Sequence, residues 1–118
     1  VVCIVISLVA VYMLSYPIFI DTECASNGRA NGLSRTARTA VVKAFCQTVQ
    51  NGGYRAGIYA SKSWYNDQLK MSSLGGYYVW VAQYSSKCTY TGKYDMWQYS
   101  SKGSVPGITG NVDMNISY

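Results

Sequence analysis

The chain has 118 residues, enough for one domain with a single core, and a formal charge of +5 from ten Lys and Arg against five Asp and Glu. Hydrophobic residues make up 49% and charged ones only 13%, half the usual charged share, which excludes a disordered tail. No histidine is present, so a Ser-His-Asp triad, a Cys-His pair and any His-containing zinc site are excluded, and carboxylates become the natural acids and bases.

The opening segment, "VVCIVISLVAVYML", is apolar apart from Ser7 and rich in Val and Ile. It is short for a membrane span, which needs about 20 residues, and suits a buried element, with a signal-peptide core or membrane contact through residues 1–15 as alternatives. "PIFID" follows as a predicted buried strand, bounded by Pro17 and by a Ser/Asn/Gly loop. The next segment, "LSRTARTAVVKAFCQTVQNGG", carries Ala37, Val41, Ala44, Phe45 and Val49 at helical spacing. Ser34 is its predicted N-cap and Gly52 or Gly53 its stop.

"YRAGIYAS" reads as a second strand, "KSWYNDQLKM" as a short helix ended by Gly75 and Gly76, and "YYVWVAQY" as a third strand. Strands alternating with helices imply a parallel sheet with crossover helices. The last two strands, "YDMWQYS" and "VDMNIS", follow the connectors "SSKCTYTGK" and "SSKGSVPGITGN", which are Gly-containing and too short or irregular for helical crossovers, so the final third is strand-dominated.

Scattered bases from Arg29 to Lys102 form no contiguous cluster; they favour anionic surfaces in general and do not select nucleic acid. Cys3, Cys24, Cys46 and Cys88 lack C-x-x-C spacing, which leaves both disulfides and buried thiols open.

Two of the five carboxylates, Asp21 and Glu23, stand two residues apart at the end of "PIFID". In a strand, such residues share one face. The C-terminal end of a parallel strand is where α/β proteins gather reactive groups. Mutual repulsion and apolar neighbours push the two pKa values apart, the condition for one acid and one base or stabiliser. Glycosidic cleavage uses such a pair. Strand rise separates alternate residues by roughly 6.5 Å, between the retaining and inverting spacings, so the stereochemistry stays open. D-x-E alone is also compatible with a cation site or a solvated strand end. Asp113, in "NVDMN", is a third candidate, whereas Asp67 reads as a surface helix residue and Asp95 as a turn or strand-edge residue. Among twelve Tyr and three Trp, Tyr59, Trp80, Tyr84 and Trp97 lie in predicted strands that could aim them at a cleft.

Taken in order, "YPIFIDTE", "GYRAGIYASKSWY", "YYVWVAQY" and "YDMWQYSSKGSVPGITGNVDMN" make the chain from about Tyr16 to Tyr118 resemble glycoside hydrolase family 25, the Chalaropsis-type lysozymes of bacteria and phages. The resemblance implies a modified TIM-like (β/α)5(β)3 barrel whose last strands lack helices. Residues 16–118 would be its C-terminal part, roughly strands 4 to 8 with two helices, after the hydrophobic segment 1–15. It implies hydrolysis of the β-1,4 bond between N-acetylmuramic acid and N-acetylglucosamine in bacterial peptidoglycan, extracellularly or at the cell wall, without a metal or organic cofactor. By motif, Glu23 is similar to the family's general acid, Asp21 to its nucleophile or charge-stabilising partner, and Asp113 to the acid of the final strand. Tyr59, Trp80, Tyr84 and Gln98 match positions expected to touch substrate. Family members begin with three further β/α units, the first carrying another active-site Asp, and these are not in this sequence. A piece limited to these residues is expected to be impaired, to self-associate through exposed sheet edges, or to persist as a non-catalytic wall-binding remnant.

Overall fold

The structure, a computed structural model, describes residues 16–23 and 32–118; the hydrophobic segment 1–15, including Cys3, and the loop residue Cys24 lie outside the described residues. Strand β1 (Ile18–Asp21) leads to helix α1 (Arg35–Asn51), strand β2 (Ala56–Ser61) and helix α2 (Lys62–Asp67). A 3-10 turn over Met71–Ser73 precedes strand β3 (Tyr78–Ala82), and strands β4 (Met96–Gly103) and β5 (Val112–Ser117) complete the order.

Local chemistry accounts for the helix ends. The Ser34 hydroxyl accepts from the Ala37 amide at 3.1 Å, satisfying one of the free N–H groups of the first turn of α1. The helix stops at Gly52, and Gly53, with φ at +88°, turns the chain through a conformation that side chains resist. Ser61 caps α2 in the same way, accepting from Trp64. α2 ends earlier than its sequence pattern predicts because Leu69 drops into the core, fully buried, while its amide still reaches back to the Trp64 carbonyl.

The five strands form one curled sheet in sequential order, β1 to β4 parallel and β5 antiparallel to β4. Among the described residues this is a mixed α/β half-barrel with two helices. Asp21 is level with Tyr59, Tyr59 with Trp80, and Trp80 with Met96. The β3 to β4 crossover is parallel yet has no helix; Tyr90, buried within it, fills part of the space a helix would cover.

The core lies between the convex sheet face and the helices. Val42, Cys46 and Val49 of α1 meet Ala56, Ile58 and Ala60 of β2 and Val79 and Val81 of β3, with Tyr65, Leu69 and Leu74 closing one side. The Tyr65 hydroxyl is satisfied inside this core by the Ile58 carbonyl at 2.5 Å. Helical spacing predicted Val41 and Ala44 alongside Val49, but both are exposed, because the packed stripe runs one position later and begins at Arg38. Among the described residues, no helix is long and apolar enough to cross a membrane.

Candidate active site

Thr22 sets the geometry at the end of β1. Its side chain is buried on the helix side and its amide donates to the Tyr59 carbonyl at 2.9 Å, extending the ladder past the last strand residue. Asp21 and Glu23, flanking it, therefore project to the concave side. There they line a cleft of about 430 Å3 together with Phe19, Tyr59, Trp80, Tyr84, Gln98 and Asp113. Seven of the eight residues singled out in the sequence are thus brought to one cavity, at the C-terminal ends of the parallel strands. Trp97 is not: it points the other way, 8% exposed in the core, with its indole N–H on the Gln83 carbonyl.

Asp113 arrives from the far edge of the sheet. The β4–β5 ladder steps from Gln98↔Asn115 to Ser100↔Met114 and then to Gly103↔Val112, two irregularities that each place an extra β4 residue against β5. Such bulges bend a strand and re-aim its side chains, and here they lie directly beside Asp113.

The cleft floor is built from hydrogen-bonded aromatics. Gln98 is 3% exposed, and its side-chain carbonyl accepts from the hydroxyls of both Tyr59, at 2.6 Å, and Tyr84, at 2.9 Å. Tyr84 lies just beyond β3 and is 59% exposed, which makes it a rim residue rather than a strand residue. The Trp80 ring meets Tyr59 edge-on at 4.8 Å and Phe19 at 5.3 Å, and its indole N–H donates to Asn115 Oδ1 at 2.9 Å. Phe19 and Asn115 were missed as site residues. Phe19 shares the alternation of Asp21 and Glu23, and Asn115 that of Asp113, so period two alone would have found both.

Burial raises the Asp21 carboxyl above the ordinary aspartate range. Tyr59 is raised further, first by burial, then by the neighbouring Tyr84 phenol, then by the charges of Glu23 and Asp21. Its hydroxyl therefore stays protonated at working pH, a neutral donor beside two acids. A second cavity of about 300 Å3 lies at the opposite strand ends, lined by Arg55, Tyr78 and Asp95 among others. Its carboxylate is already engaged, since Asp95 accepts from the Val79 amide at 3.0 Å and ties β3 to the start of β4. The acid cluster belongs to the first cleft.

Comparison with known proteins gives this geometry a lineage. The chain is 31% identical over 98 residues to the "Autolytic lysozyme" of Clostridium acetobutylicum, a match covering 81% of this chain and 30% of that protein. Its fold is similar to the modular autolysin LytC of Streptococcus pneumoniae, solved with a synthetic peptidoglycan ligand, with a TM-score of 0.80 at 24% identity over 99% of this chain and 30% of that one. It is also similar to a muramidase from Acremonium alcalophilum, with a TM-score of 0.65 at 27% identity over 85% of this chain and 50% of that one. The chain thus spans between about a third and a half of the length of these relatives. The model of the family "Glycosyl hydrolases family 25" matches residues 6–108, most of the sequence including β1 to β4, and the chain belongs to that family.

Proposed function

We propose that this chain carries the acid cleft of a muramidase, a peptidoglycan hydrolase that cuts the β-1,4 bond between N-acetylmuramic acid and N-acetylglucosamine at the bacterial cell wall. The observation that carries the reading is the meeting of Asp21, Glu23 and Asp113, from opposite edges of the sheet, in one aromatic-lined cleft. Family membership supports the reaction class.

In this reading Glu23, at the mouth, donates its proton to the glycosidic oxygen as the bond to the anomeric carbon breaks. Asp21, ionised, meets the positive charge that grows on the sugar ring, as nucleophile or as electrostatic stabiliser. Water then adds its hydroxyl to the anomeric carbon, and its proton restores Glu23. Asp113 orients groups across the cleft. Tyr59, Trp80, Tyr84 and Gln98 hold the sugar, the rings by stacking and Gln98 by hydrogen bonding.

Glu23→Gln keeps the shape and removes the proton donor. Clearing of purified bacterial walls is expected to slow by at least about 100-fold with the melting temperature unchanged. Equal clearing by the parent protein and the variant would overturn the role of Glu23.

A second reading, a wall-binding module without turnover, is favoured by the +5 charge and the exposed aromatic rim. Retention on insoluble peptidoglycan with no release of reducing ends would select it. Loss of that retention at modest salt would assign the binding to charge rather than to the cleft.

A further inference from the structure

Trp80 is a β3 residue whose indole reaches across β4 to bond a β5 side chain that is level with Gln98. Three contacts hold it: the Tyr59 ring at 66° and the Phe19 ring at 73°, both edge-on, and the Asn115 amide oxygen on the indole N–H. Indole nitrogen is donor-only, so the oxygen of Asn115 must face it, which also fixes the orientation of that amide. The hydrogen bond adds a directional restraint to the two edge-on ring contacts.

Asn115 lies two residues from Asp113 on the same face of β5. β5 is joined to the sheet through β4, along a ladder with two register irregularities. The Trp80–Asn115 bond is therefore a second tie, independent of that ladder, between the strand of an acid and the floor of the cleft.

We propose that Asn115 is a positioning residue for the sugar platform: it locks Trp80 in its stacking orientation before substrate arrives and couples that orientation to the strand of Asp113. This rests on the muramidase reading of the same cleft. A preset ring loses its rotamer freedom on folding rather than on binding, so the interaction strengthens substrate affinity more than turnover.

The test uses the full-length protein with Asn115→Leu, which removes the acceptor, Asn115→Asp, which keeps one, and Trp80→Phe, which removes the donor. Asn115→Leu is expected to raise KM on soluble peptidoglycan fragments about tenfold while kcat changes less than about twofold. Asn115→Asp should restore KM. In ligand-free protein, Asn115→Leu should alter the Trp80 part of the emission spectrum, obtained by difference against Trp80→Phe. In the Trp80→Phe background, Asn115→Leu should have no further effect on KM, because the two positions act through one bond.

Additive effects of the two substitutions on KM, or unchanged KM and emission in a folded Asn115→Leu protein, would overturn the proposal. Should Asn115→Leu fail to fold, the smaller Asn115→Ala, which also removes the acceptor, takes its place in the same comparison: it should raise KM in the parent protein and leave it unchanged in the Trp80→Phe background, and equal effects in both would overturn the proposal. Failure of the muramidase reading looks different. Glu23→Gln would then leave wall clearing unchanged while the ligand-free emission change persisted.

Discussion

Asp21 combines a partly buried carboxyl with a proposed role that requires charge, and the two pull in opposite directions. Burial raises its pKa, so between the ordinary aspartate value and the raised one the folded protein holds a proton that the unfolded chain has released. Folding stability therefore falls as pH rises through that interval, and the loss persists above it. Asp21→Asn is expected to melt at a higher temperature than the parent protein at neutral pH and to lose that advantage at acid pH, while its activity collapses. Melts across this pH range check it, and a variant less stable at neutral pH would contradict it. Because the carboxylate must be ionised to act, the acid limb of kcat/KM should lie above the ordinary aspartate range, with activity falling as pH drops through it. The shared face of Asp21 and Glu23 was legible in the sequence because it needs only the period of a strand. The direction of Trp97 was not. Trp80 and Trp97 both sit in mid-strand aromatic runs, and only the long-range pairing of Trp97 with Val81 and of Trp80 with Met96 sends one to the core and the other to the cleft.

The helices were legible by their caps, but what α1 does with its polar residues was not. Arg35 donates to the Leu69 carbonyl at 3.1 Å, and Arg38 to the Gln68 side-chain oxygen at 2.7 Å and the Leu33 carbonyl at 2.8 Å. Thr39 accepts from the Lys70 amide at 2.9 Å. Arg38 also lies over the Trp64 ring at 4.7 Å and is 3% exposed. Arg35 and Thr39 thus satisfy backbone groups just past the end of α2, where Arg38 also reaches the Gln68 carbonyl at 3.4 Å, while its bond to Leu33 ties the same side chain to the entry of α1. In sequence, Arg38 is one of several scattered bases, and nothing local marks it as buried. Arg38→Ala is expected to lower stability by about 2–4 kcal/mol, because it strands buried acceptors; a denaturant midpoint shifted by under about 0.5 kcal/mol equivalent would refute the clamp. On β2, Gly57 plays a comparable part for the cleft, since a Cβ there would overlap the Phe19 ring. Gly57→Ala should cost about 1–3 kcal/mol as Phe19 shifts. Retention on peptidoglycan should fall as well, through the Phe19 contact with Trp80, and unchanged retention with a shifted melt would separate the two effects.

Across the whole molecule, burial and chemistry occupy opposite sheet faces. Cys46 marks the centre of the buried side: it is a free thiol, fully inaccessible, and burial pushes its pKa up to about 12. Since only thiolate reacts, labelling of Cys46 should be negligible in the native protein and should appear in step with global unfolding followed by circular dichroism. Rapid native labelling would mean that α1 opens separately from the sheet. The change from helix-linked to directly linked strands was legible in the sequence, and the half-barrel followed only from the family resemblance, whereas the curl that joins Asp113 to Asp21 was not legible, because the β4–β5 ladder is irregular at positions that carry no local signature. The buried Thr22 between two solvent-facing acids shows the same partition at its smallest. Cleft-facing and fold-holding positions alternate along the same strand, so a substitution at an odd-numbered site of β1 should alter the cleft with less effect on the core than one at an even-numbered site.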